Sequence, residues 1–182
     1  DTQGRMVRYD VQNPEQQDLR NWMVQNPQRI HLGRVGLVLK KKSGSLASLN
    51  DLQNPEQVLD LWSGISTSTF SISSEPVTVT TIGHPSKDGI AVRIKSRKVA
   101  EGSIGIFLDF PYASLHEFGN GADWGKTDQH QTVETVNGRQ VRFQRIMNAT
   151  RYDVRMSWDQ NADFKKVKAH RYEVTPVTDA DD

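Results

Sequence analysis

A chain of 182 residues carrying 23 Lys and Arg against 22 Asp and Glu, a formal charge of +1, has the length of one domain. Balanced charge removes the basic face that nucleic-acid binding requires, and no window approaches the roughly 18 apolar residues of a membrane-inserted helix. With no cysteine, disulfides, thiolate metal sites, iron–sulfur clusters and thiol nucleophiles are excluded. The composition is polar, at 35% hydrophobic residues and a mean hydropathy of −0.65, yet six Phe, four Trp and four Tyr supply a modest core.

Residues 1–25 read as a lead-in segment containing a short helix. Asn13 is placed to cap it, Pro14 suits a first turn, and Leu19, Trp22 and Met23 fall on one face before Asn26-Pro27 ends it. The tetrapeptide Asn-Pro-Glu-Gln recurs at 54–57, but two copies of four residues make no repeat architecture. The segment Val58 to Gly64 that follows suits a turn of helix or a strand. Gly33 and Gly36 permit a turn into a strand over Val35 to Lys40, being too isolated for a phosphate loop.

From residue 66 the period becomes two. Phe70 and Ile72 alternate with serines, Glu75-Pro76 marks a turn, and Val77 to Ile82 is rich in the β-branched residues of a pleated surface. Ile90, Val92 and Ile94 then form an apolar row, and Ile104, Ile106, Leu108 and Phe110 form another, with Glu101-Gly102 as the turn between them. Asn137-Gly138 predicts a type I′ hairpin turn joining strands near 131–136 and 140–147. Tyr152, Val154, Met156 and Trp158 give a further inward row, Asp159 to Asp163 is turn chemistry, and a last strand runs from about His170 to Val177. The pattern predicts an all-β fold, an antiparallel β-sandwich over 26–178 with at most one or two short helices, followed by an acidic tail or linker at 179–182.

Residues 111–131 break this spacing. They hold Tyr112, His116, Glu117, Phe118, Asp123, Trp124, Asp128 and His130 among three glycines without a period, and long irregular loops in compact domains tend to be functional. Glu117 with Asp123 or Asp128 offers an acid–base pair only if the fold holds them across a cleft. His116, Glu117, Asp123, Asp128 and His130 are hard or borderline metal ligands, but they match no established ligand spacing. Solvated loop acids account for both groups, so no catalytic residue, metal or cofactor is assigned. Asp123, Trp124, His130 and Tyr112 are the candidate ligand contacts, because a flat ring beside hydrogen-bonding groups is the minimal chemistry for holding a sugar. The alternative is that Trp124 plugs one end of the sandwich while Asp123 caps a turn. Trp62, after the alternating Leu59 and Leu61, favours a core position, and His84 a structural hydrogen bond.

The ordered series Gln57 to Gly64, Ser68-Thr69-Phe70, Pro76 to Thr81, His84-Pro85, Asp88 and Ile90 to Ile94, preceded by Asn26 to Ile30 and Leu32 to Leu37, resembles the amino-terminal super-sandwich of the six-hairpin glycosidases. The resemblance covers about residues 26–130, and it lies with the uncharacterised bacterial members. In that family a β-sandwich precedes an (α/α)6 catalytic barrel that carries the catalytic carboxylates. The resemblance therefore implies a non-catalytic domain of a secreted, periplasmic or cell-surface glycoside hydrolase, whose partner is the downstream barrel of the same polypeptide. It also gives the 111–131 segment a purpose, since such a domain can send a loop toward the substrate cleft. The reading from the residues alone leaves an independent carbohydrate-binding module, with an oligo- or polysaccharide partner, as the alternative. A chain opening on Asp1 and closing on Asp179, Asp181 and Asp182 reads as a piece of a longer product, and a cysteine-free chain suits an oxidising compartment without fixing it.

Overall fold

The computed structural model describes residue 4 and residues 14–25, 30–114 and 120–177. The lead-in holds α1 (Gln17–Gln25) behind a 3-10 turn at Pro14–Gln16, as the spacing predicts. Asn13, the expected cap, lies outside the described residues, as do the tail residues 179–182. Leu19, Trp22 and Met23 are more than half exposed.

Thirteen strands follow, and all their pairings are antiparallel. They are β1 (Arg34–Leu39), β2 (Leu52–Asp60), β3 (Ile65–Ile72), β4 (Glu75–Gly83), β5 (Ile90–Lys95), β6 (Ile104–Asp109), β7 (Tyr112–Ala113), β8 (Ala122–Asp123), β9 (Gln131–Asn137), β10 (Gln140–Met147), β11 (Thr150–Ser157), β12 (Ala162–Lys168) and β13 (Arg171–Pro176). They form sheets ordered β1-β6-β13-β12, β11-β10-β9 and β2-β3-β4-β5, with β7-β8 as a small ribbon. The all-β, antiparallel sandwich expected from the alternating rows is what the chain adopts.

The row Ile104, Ile106, Leu108, Phe110 runs along one face of β6, and two different layers cover it in turn. At its far end Leu108 and Phe110 pack with Val141, Phe143 and Tyr172, closed over by Val154, Met156, Trp158 and Phe164. Phe143 is the centre of this cluster, its ring 4.7 Å from Tyr172, 5.3 Å from Phe110 and 6.0 Å from Phe164 between centroids. At the near end Ile104 joins Ile72 and Val77, with Leu39, Phe70, Val79, Ile94 and Val99 around them. One strand thus ties the β2–β5 sheet to the main sandwich through apolar burial at roughly 25 cal/mol per Å².

Five local readings are settled or corrected by the structure. Of the two alternatives for Val58 to Gly64 the strand holds as far as Asp60, because Leu52 to Asp60 pairs along β3, with a register shift between Gln53 and Glu56 that takes up Pro55. Trp62 is not core: it stands 98% exposed at the tip of the β2–β3 hairpin. Ile90, expected inside, is 64% exposed, because β5 begins beyond the part of its sheet that other layers cover. Glu101-Gly102 does not close a hairpin. A one-turn helix, α2 (Arg97–Ala100), capped by Ser96 Oγ accepting from Lys98 N at 3.3 Å, carries the chain from one sheet to another.

The fifth correction concerns the turn after β9. Asn137 pairs with Gln140, so Gly138 and Arg139 form the loop and only Gly138 has a positive φ, 55°. That is the pattern of a type II′ turn, with glycine first. Register decides it, since this pairing puts Thr132 and Glu134 on the inner face beside Arg145 and Tyr172. The strand β12 was also hidden in the sequence, where Lys165, Lys166 and Lys168 mask Phe164, which stacks on Tyr172 at 5.7 Å.

Candidate functional site

The described parts of the 111–131 segment, 111–114 and 120–131, pair with each other and anchor on the sandwich. Tyr112 and Ala113 pair with Asp123 and Ala122, and Asn120 Oδ1 accepts from Ala122 N at 3.0 Å to shape the return. Gly121, with φ 74°, adopts the left-handed backbone that this turn needs. His116, Glu117 and Phe118, including one half of the candidate acid–base pair, lie outside the described residues. Among the described residues no three His, Asp or Glu side chains converge as a metal site.

The two ends of the segment meet at Arg145. This guanidinium has no exposed surface. Its Nη2 donates to Pro111 O at 3.1 Å and to His130 Nδ1, while Nη1 donates to Gln131 O at 2.9 Å and to Thr132 Oγ1. The aromatic face of Phe110 lies 4.9 Å from its central carbon. Carbonyls, rings and a hydroxyl surround it in place of a carboxylate, and charge-assisted bonds of this kind are stronger than neutral ones.

Burial pushes both imidazoles beside Arg145 toward the neutral form. Because arginine only donates, His130 Nδ1 is an acceptor. His170 Nε2 donates to Thr127 O at 2.7 Å and its Nδ1 faces Thr132 Oγ1 at 2.7 Å. Burial, then the neighbouring His170 and Arg145 charges, hold the His130 imidazole down at about 4, against the opposing pull of Asp128. Burial is also the main cause that lowers His170, with the Thr127 carbonyl working the other way. Tyr172 is pushed up by burial and by its 2.9 Å bond to Glu134. Thr132 and His170 would look like a nucleophile and its base in an open cleft. Here Arg145 fills the space a substrate would need.

The candidate contacts separate into two environments. His130, at 6% exposed, belongs to the buried cluster. Tyr112 bridges outward, its hydroxyl accepting from Asn148 Nδ2 at 2.9 Å and its ring 5.8 Å from His130. Asp123 Oδ1 accepts from Gly125 N at 2.9 Å, as a turn cap does, while its Oδ2 sits 3.7 Å from Lys126 Nζ. Trp124 is half-buried against the face of β1-β6-β13 that points away from Leu108. The Arg34 guanidinium covers its ring at 3.9 Å and His31 meets it edge-on at 5.7 Å.

That face carries a row the sequence reading missed. Arg34, Asp109 and Arg171 are direct cross-strand partners, and the Asp109 carboxylate takes Arg34 Nη2 at 3.0 Å and Arg171 Nη1 at 3.5 Å. One row on, Phe107 lies over Gly36, where a Cβ would come within 2.6 Å of its ring. Arg171 stacks on Phe107 at 3.9 Å. Strands distant in sequence supply these residues, so no local motif could announce them. Arg145 did have a signal, as the one charge in the inward row Val141, Phe143, Arg145, Met147.

No family model, curated protein or solved structure matches this chain.

Proposed function

We propose that this chain is the non-catalytic amino-terminal β-sandwich domain of a multidomain glycoside hydrolase, exported by a bacterium, which packs on an (α/α)6 catalytic barrel and lends the Trp124 segment to its substrate cleft. The observation that carries the reading is the bare apolar end of the β2–β5 sheet. Leu59, Leu61 and Trp62 stand exposed at the end of β2 and in the turn after it, and Ile90 at the start of β5 on the opposite edge of the same end, with Leu61 86% and Trp62 98% exposed. The tip is held in shape: Asp60 Oδ1 accepts from Trp62 N at 3.0 Å, Asp60 Oδ2 accepts from Ser63 Oγ at 2.6 Å, and Gly64 N donates to Asp60 O at 2.8 Å. Apolar groups presented on a rigid hairpin suit burial against a partner domain. The reading takes the chain by itself as non-catalytic, which the burial of both histidines and the Arg145 guanidinium filling the space beside Thr132 support.

The test is to mix the chain with the separately expressed downstream region and measure complex formation by sedimentation. A complex weakened at least tenfold by Trp62→Ser supports the reading, and a failure of the two to associate overturns it. Hydrolysis of a glycan panel by the chain alone would overturn the non-catalytic part.

A second reading, an independent carbohydrate-binding module, is favoured by the partly exposed indole of Trp124 with Asp123 and Lys126 beside it. Binding of a soluble polysaccharide without any association with a barrel would favour it over the first.

A further inference from the structure

We infer that the face of β1-β6-β13 carrying Trp124 and Arg34 is a binding site for an anionic saccharide, a sugar bearing a carboxylate. The inference rests on the reading that the Trp124 segment faces glycan, and it adds the class of sugar.

The arrangement is a layered stack. Trp124 lies on one side of the Arg34 guanidinium at 3.9 Å, Phe107 lies 5.7 Å from it, and Arg171 covers Phe107 at 3.9 Å. Stacking uses the faces of a guanidinium and leaves its N–H edge free to bond in plane, which is the geometry a carboxylate meets with two parallel hydrogen bonds. Among the described residues Arg34 spends Nη2 alone on a protein acceptor, the Asp109 oxygen at 3.0 Å. The rings hold the remaining N–H groups in a fixed direction, so little side-chain freedom is lost when a ligand binds.

The charge distribution points the same way. Asp109, which anchors both arginines, is nearly sealed at 4% side-chain exposure, whereas Arg34 is 47% exposed and Lys126 is 41%. Arg171 is bonded further to Glu173, its Nη2 to Oε1 distance being 3.3 Å. Lys126 is paired with Asp123 and Arg171 with Glu173, so among the described residues Arg34, whose partner acid is buried, is the cation this face offers to a ligand. A neutral sugar would use the indole and leave Arg34 idle. A uronic acid uses both, with its ring against the exposed part of Trp124 and its carboxylate on the Arg34 edge.

The experiment is calorimetric titration of the chain with trigalacturonate and with its methyl ester, which has the same ring skeleton and no charge. The acid should bind at least about tenfold more tightly than the ester, the factor that about 1.4 kcal/mol of charged hydrogen bonding corresponds to. Arg34→Gln and Trp124→Ala should each weaken the acid about tenfold or more, while Lys87→Gln, an exposed lysine in the β4–β5 turn, should leave it unchanged. Since Arg34→Gln removes a partner from Asp109, Arg34→Lys is measured beside it. That variant keeps the charge by Asp109 and loses the planar fork, and it should fold and still bind weakly. Equal binding of acid and ester overturns the anionic class while the glycan-facing reading stands. No binding of either compound, or equal weakening by Lys87→Gln and Arg34→Gln, overturns the site. None of these results touches the docking reading, which is judged by Trp62→Ser.

Discussion

The imidazoles of His130 and His170 stack with centroids 3.7 Å apart and planes 23° from parallel, and both nitrogens that face inward look at the Arg145 guanidinium. Three groups able to carry positive charge share one buried space, and burial pushes both histidines away from the charged form. The pair joins the end of the 111–131 segment to the turn between β12 and β13, where His170 adopts φ 59°. Protonating either ring would place a second cation against the first.

Stability should therefore depend on pH in a defined window. The folded His130 protonates near 4 and the unfolded one near 6.5, so the unfolded chain binds more protons between those values. Stability is at its full value above about pH 6.5 and falls as pH drops through the window, by on the order of 2 to 3 kcal/mol. Urea midpoints at pH 7.0, 5.5 and 4.5 should decline in that order, and His130→Asn should flatten the decline. A midpoint that stays level from 7.0 to 4.5 would refute it. The lowered carboxylates of Asp51, held by the Ser48 backbone, Asp60, held by Ser63, and Asp153, held by Arg142, act in a different range. Their contribution is present above the ordinary carboxylate value and disappears below about pH 4.

Phe143 should be the most costly aromatic to truncate. It is fully buried and joins rings from β6, β12 and β13. Phe143→Ala should cost roughly 3 to 5 kcal/mol, and Leu108→Ala in the same cluster roughly 2 to 5 kcal/mol. Equilibrium urea unfolding measures both. A loss below 1 kcal/mol for Phe143→Ala would mean the two sheets do not meet there.

Gly105→Ala should destabilise the chain for a reason unrelated to conformational freedom. A Cβ at 105 would lie 2.7 Å from Val174 O, a backbone atom in the strand paired with β6. The sheet cannot yield as a side chain could, so the change should cost roughly 1 to 3 kcal/mol. At Gly138, where a Cβ meets nothing within 4 Å, the penalty comes from the positive φ alone. Gly138→Asn should therefore be tolerated better than Gly105→Ala in parallel melts.

Trp62→Ser should leave the stability of the chain within about 0.5 kcal/mol, as for an exposed site, because the indole is almost wholly in solvent. Thermal melts of the wild-type chain and the variant provide the comparison. A loss of several kcal/mol would show that the tip packs on the chain itself and would remove the apolar end as a docking surface.

The period-two rows by themselves determined that this chain is an antiparallel β-sandwich, because alternation reports which face of a strand is buried whatever it packs against. The β3–β4 hairpin, the β9–β10 pair and the inward rows of β6 and β11 were all legible for that reason. Alternation does not report what covers the face or how far the cover extends. Ile90 obeys the same pattern as Ile94, yet only Ile94 lies under another layer, and Trp62 follows an apolar run into open solvent. Strand β12 stayed hidden because lysines interrupt its row, and Pro55 disguised β2. The site divided along the same line. Tyr112, Asp123, Trp124 and His130 were visible as a cluster of chemistry within one irregular segment. Tertiary structure alone sent His130 inward to Arg145 and His170, and it brought Arg34 and Arg171 together on Asp109 from strands 75 and 62 residues away. Pairings across that separation are set by sheet order and register, and neither is written in any local stretch of the chain.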